Sequence, residues 1–109
     1  MSWDFSMFID AGGEKPMRLD GLEANYTYNV HPMFARAFGG DGIRQLNNRT
    51  GAECITSLEQ AIAAMEVEPA IYKAMNPPNG WGDYDSALNL LRELLRWSRL
   101  APRARMVVS

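Results

Sequence analysis

The chain has 109 residues, enough for one hydrophobic core and too few for two, so a single domain over residues 1–109 is expected. Hydrophobic residues make up 47% and charged residues 22%, an ordinary globular balance, and a net charge of −2 lacks the basic excess of a nucleic-acid binder. No apolar run approaches the ~20 residues that cross a bilayer, and no basic-then-apolar leader opens the chain, so no membrane partner and a cytoplasmic protein are expected.

Trp3, Phe5, Met7 and Ile9 alternate with Asp4, Ser6, Phe8 and Asp10, the two-residue period of a strand with one buried face. Gly12-Gly13 marks a turn, and Pro16 to Gly21 reads as loop or a short edge strand. Glu23 to Tyr28 leans towards extended backbone. Asn29 reads as the N-cap of a helix through Val30, Met33, Phe34, Ala37 and Phe38, with Pro32 in its first turn. Gly39-Gly40-Asp41-Gly42 stops it, and a short turn around Ile43 to Leu46 follows.

Thr50 and Glu53 have capping-box spacing. The helix they open places Cys54, Ile55, Leu58, Ala61, Ile62 and Met65 on one face. Glu68-Pro69 starts a short helix anchored by Ile71, Tyr72 and Met75. After the loop Asn76 to Gly82, Asp83 caps a last helix presenting Tyr84, Ala87, Leu88, Leu91, Leu94 and Leu95 inward, with Leu90 and Trp97 widening the stripe. Met106-Val107-Val108 reads as a final strand able to pair with the first. The expected fold class is α+β: a small antiparallel sheet of N- and C-terminal strands with three or four helices packed on it. Strand order stays open.

Catalytic and metal chemistries find little support. The only cysteine, Cys54, lies in an apolar helical pattern and reads as a buried thiol; the only histidine, His31, has no nucleophile at a recognisable spacing. One His and one Cys cannot build a zinc site, the scattered Asp4, Asp10, Asp20 and Asp41 do not form a calcium loop, and no cofactor motif is present. The glycines at 39–42 lack the Lys-Ser/Thr of a phosphate loop. Arg92, Arg96, Arg99, Arg103 and Arg105 cluster late; they read either as a basic patch or as a complement to a helix C-terminus.

Two segments stand out. In Asn25-Tyr26-Thr27-Tyr28-Asn29, extended backbone puts Asn25, Thr27 and Asn29 on one side, either as a ligand-orienting rim or as caps and loop ties. In Asn76-Pro77-Pro78-Asn79-Gly80-Trp81-Gly82-Asp83-Tyr84, the prolines shape the chain and the glycines permit sharp bends or close approach. Trp81 either covers the core edge or anchors a partner. Asp83 and Asp85 put negative charge at the helix start, which disfavours phosphate there.

On these motifs the chain resembles a family of small uncharacterised proteins from actinobacteria and their bacteriophages. The resemblance runs through Ile9-Asp10, Gly12-Gly13, Asn25 to Asn29, Pro32-Met33, Thr50 to Glu53, Asn76 to Tyr84 and Arg103 to Val108, nearly the whole length. It implies a small phage-type protein, in the host cytoplasm if phage-encoded, and transfers no catalytic residue.

The leading expectation is a non-enzymatic binding protein, a phage accessory factor contacting a host protein or small polar ligand through Asn25, Thr27, Asn29, Trp81 and Tyr84. Two other classes remain open: a hydrolase or transferase using His31 or a carboxylate pair, and a self-assembling protein with Trp81 or Trp97 in a symmetric interface.

Overall fold

The computed structural model describes residues 2–109. Strand β1 spans Ser2–Ile9, β2 Met17–Thr27 and β3 Arg105–Val108; helix α1 spans His31–Phe38, α2 Gly51–Val67, α3 Pro69–Lys73 and α4 Tyr84–Leu100. Short 3-10 turns, Tyr28–Val30 and Gly42–Leu46, flank α1. The sheet is antiparallel in the order β2-β1-β3, so the N-terminal strand lies between the other two. The four helices pack on one face, which makes the fold α+β.

The alternation of β1 explains this layering. Trp3, Phe5 and Met7 are buried, and they join Met106 and Val108 of β3 in a core with Phe34, Leu58, Met65, Leu91, Leu94 and Trp97. Their neighbours Ser2, Asp4, Ser6 and Phe8 form the other face, which no helix covers. Helix α2 begins with the expected box: Thr50 Oγ1 accepts from Glu53 N at 3.2 Å, and Glu53 Oε1 accepts from Thr50 N at 3.0 Å. Such a cap stabilises a helix by about 1 kcal/mol. Helix α4 is the main inward surface, with Tyr84, Leu88, Leu91, Leu94, Leu95 and Trp97 all buried. Arg92 pairs with Glu66 at 3.1 Å and Arg99 with Glu59 at 3.6 Å, stitching α4 to α2.

Several expectations change. Of the two readings of Pro16 to Gly21, loop or short edge strand, the structure takes the strand: β2 starts at Met17 and lies at the sheet edge, but at 11 residues it is long rather than short. Its register slips between Ser6 and Phe8, where Gly21 adopts φ +80° and the strand bulges. That irregularity and the Arg18–Glu23 ion pair interrupt what would be a flat, unpaired sheet edge. The β3 edge is sealed differently, by Asn48 N donating to Met106 O at 2.7 Å and Met106 N donating to Arg49 O at 2.8 Å.

Asn29 is not the cap of α1. Thr27 closes the preceding turn instead, its Oγ1 accepting from Asn29 N at 3.2 Å, and α1 starts at His31 behind Val30. Extended backbone therefore stops at Thr27, one residue short of Tyr28. Ile71 is exposed while Tyr72 is buried: the five-residue α3 has one inward position, and tyrosine takes it.

Candidate recognition surface at the junction of β2 and the 76–84 loop

The loop between α3 and α4 is held by its own side chains. Gly80 N donates to Pro77 O at 3.2 Å, closing a turn through the two prolines. Asn79 Oδ1 accepts from Trp81 N at 3.0 Å, and Asn76 Oδ1 reaches across the loop to accept from Tyr84 N at 2.9 Å. Asp83 then caps α4, its carboxylate accepting from Ser86 N at 2.8 Å while Ser86 Oγ accepts from Asp83 N at 3.3 Å. These bonds hold the Asp83 carboxyl below its ordinary pKa of 3.8, the Ser86 backbone contact contributing most.

The two segments singled out in sequence meet here. A β-carbon built on Gly82 would lie 2.7 Å from Thr27 Cγ2, 2.8 Å from Val30 Cγ1 and 3.1 Å from Tyr26 Oη. Tyr26 Oη also hydrogen-bonds Ser86 Oγ at 2.6 Å and donates to Asp83 O at 3.3 Å. The end of β2 and the start of α4 are thus clamped together, with glycine as the only residue small enough between them.

The clamp sorts the five expected contact residues. Trp81 stands 63% exposed, beside the Gly82 contact in the chain. Thr27 lies at the junction with its hydroxyl accepting from Asn29 N and, at 2.8 Å, from Asn29 Nδ2. Asn29 is exposed, but its amide nitrogen is engaged on Thr27 rather than offered as a rim. Asn25 lies on the open sheet face, where Nδ2 donates to Asp4 Oδ1 at 2.8 Å, Ser2 Oγ at 3.1 Å and Trp3 O at 3.2 Å. It ties β2 to β1. Tyr84 belongs to the core: it is 6% exposed and its hydroxyl donates to Met65 O at 2.8 Å. Tyr84 therefore offers no ring to a partner.

Other residues join the surface that sequence reasoning did not select. Tyr28 is partly exposed, with its ring 5.0 Å from Trp3 and stacked on His31 at 5.0 Å and 14°. Tyr26 and Ser86 form the clamp. The flanking of Trp81 by two glycines was the available signal for Gly82, since glycine marks close approach; nothing local marks the Tyr26–Ser86 bond.

His31 is exposed, and no hydrogen bond or ion pair reaches its ring among the described residues, so no acid–base partner is assembled around it. Trp97 is buried, with Nε1 donating to Glu93 Oε1 at 2.9 Å, which removes it from any symmetric interface. Cys54 is buried as expected, and desolvation pushes its thiol pKa up to about 11. Three surface hollows of about 730, 680 and 240 Å³ are lined by residues other than Trp81. The hollow of about 730 Å³ lies on the open sheet face around Asp4, Arg18, Glu23 and Asn25. No helix among the described residues is long and apolar enough to cross a membrane. The chain matches no protein-family model, no curated protein and no solved structure, so the reading of this surface rests on its geometry.

Proposed function

We propose that the protein is a non-enzymatic interaction protein that engages a partner protein through Trp81 and the neighbouring β2–α4 junction. The observation that carries this reading is a 63% exposed tryptophan on a loop pinned at Asn76, Asn79, Gly82 and Asp83. A ring already held in place loses little freedom on binding, and tryptophan is enriched among residues that dominate interface energies. A projecting ring suits insertion into a partner better than enclosure of a small polar ligand, which calls for a concave site. The resemblance to small proteins of actinobacteria and their phages supports a more specific role: a phage-encoded accessory factor acting on a host protein in the host cytoplasm.

The test is capture of partners from actinobacterial lysate by wild-type protein and by Trp81→Ala, with affinities then measured for the partner identified. Truncation of an anchor costs about 2 kcal/mol or more, roughly a 30-fold weaker Kd. Thermal stability of the variant is expected to stay within about 0.5 kcal/mol of wild type, because the ring is exposed. Equal affinity of Trp81→Ala and wild type for every captured protein would refute the assignment.

A further inference from the structure

The late arginine cluster divides in three dimensions. Arg92, Arg96 and Arg99 pair with Glu66, Glu93 and Glu59 on the helical layer. Arg103, Arg105 and Lys15 from the β1–β2 turn form no ion pair among the described residues, although Arg105 lies near enough to Glu53 to help lower its pKa. All three line one groove of about 680 Å³ on the uncovered face of the sheet.

The register builds this groove. Phe8 pairs with Arg105 and Ser6 with Val107, so Phe8, Arg105 and Val107 stand on the face opposite the buried Phe5, Met7, Met106 and Val108. Phe8 and Val107, both half-buried, form an apolar floor, and Pro16 adds to it from the hairpin turn. Asn48 forms part of the wall at φ 65°, the left-handed region that asparagine tolerates better than most residues. Its carbonyl accepts from Arg105 Nη1 at 2.7 Å, anchoring the guanidinium at one nitrogen and leaving its other nitrogens without a hydrogen bond among the described residues. The only carboxylate in the lining, Asp10, accepts from Gly12 N at 3.0 Å within the turn. Within the lining, three cations thus face one acid in a chain of net charge −2, with Glu53 acting on Arg105 from outside it.

We propose that this groove binds a small amphipathic anion, a carboxylic acid on an apolar body. The acid sits among Lys15, Arg103 and Arg105, and the body lies over Phe8 and Val107. A guanidinium fork matches a carboxylate in two parallel bonds, and half-buried Phe8 and Val107 gain by losing their remaining water. The groove's volume falls within the roughly 300–1,000 Å³ of small-molecule sites. Extended phosphate polymers fit poorly, since the floor beyond the cations is apolar. The site is at the Ile9–Met17 end of the β1–β2 pair, whereas the Trp81 junction adjoins the Ser2–Thr27 end, roughly 20 Å away at the rise of a strand.

The test is titration with decanoate below its aggregation concentration, followed by calorimetry and by amide chemical shifts of the isotope-labelled protein. Decyltrimethylammonium and inorganic phosphate serve as comparison probes. Decanoate is expected to bind and to shift the amides of Phe8, Asn48 and Val107, while neither comparison probe does so. Lys15→Gln with Arg103→Gln is expected to weaken decanoate binding by at least about tenfold. Both side chains are exposed and make no hydrogen bond or ion pair among the described residues, so this variant keeps the fold, and an unchanged urea midpoint verifies that. Phe8→Ser is expected to weaken binding also; if it fails to fold, the charge variant alone decides. Trp81→Ala leaves decanoate binding unchanged, which separates this site from the partner surface. No decanoate shifts at these amides, equal binding by the charge variant, or equal binding of the cationic probe would each overturn the proposal.

Discussion

Thr27 and Gly82, far apart in the chain, pack so closely that a β-carbon on the glycine would come 2.7 Å from the threonine methyl. Gly82 also holds φ +89°, a left-handed conformation that side chains rarely adopt. One residue therefore joins the two segments that are most distinctive in sequence, and it does so by having no side chain. The exposed position of Trp81 follows from that join, because the residue beside it is locked against β2.

Gly82→Ala is expected to destabilise the fold by about 2–4 kcal/mol, combining backbone strain with overpacking against Thr27 and Val30. Gly80 is the internal control: its φ is +75°, but nothing lies within 4 Å of its would-be β-carbon. Gly80→Ala should cost only about 1 kcal/mol. Urea midpoints of the two variants measure the difference, and equal midpoints would mean that the Thr27 contact is loose.

The two capped helices make stability fall in acid. Glu53 is held below its ordinary 4.5 by the backbone and then the side-chain hydrogen bond of Thr50, and Asp83 is held below 3.8 by Ser86. A carboxyl whose folded pKa is depressed contributes stability above its unfolded pKa and loses it as pH falls through the folded value. Urea midpoints should therefore be level above about pH 5 and decline below it. Asp83→Asn retains a good cap while removing the titration, so this variant should start near wild-type stability and decline less steeply. A decline as steep as that of wild type would locate the acid sensitivity elsewhere.

Cys54 should behave as an inert core atom. Its thiol is fully buried, its Sγ lies 3.8 Å from Leu46 O, and desolvation holds its pKa at about 11. At about pH 8 the native protein is expected to react with an aromatic disulfide reagent only through opening of the fold, orders of magnitude more slowly than in denaturant. Fast labelling of folded protein would show that the helix α2 packing opens locally.

Much of the architecture was legible because its causes are local. The alternation of Trp3, Phe5 and Met7, the Thr50–Glu53 box and the Asp83 cap each involve residues within a few positions of one another, and each forms as read. The reading weakened where local signals conflict. Pro16 and Gly21 left loop and short edge strand undecided, and β2 passes through Gly21 because pairing with β1 tolerates a bulge there. Asn29 is a good capping residue by type, but Thr27 stands at the position where the backbone turns. Ile71 lost the inward place to Tyr72 because one short helical turn presents a single side to the core.

Which residues form helix, strand and core was set by the order of side chains along the chain, since hydrophobic period and capping act between near neighbours. Which of Trp81 and Tyr84 faces water, which arginines find a carboxylate, and how Thr27 meets Gly82 were decided only on folding. Those outcomes depend on strand register and helix docking, which bring distant residues within contact range and which no local pattern encodes.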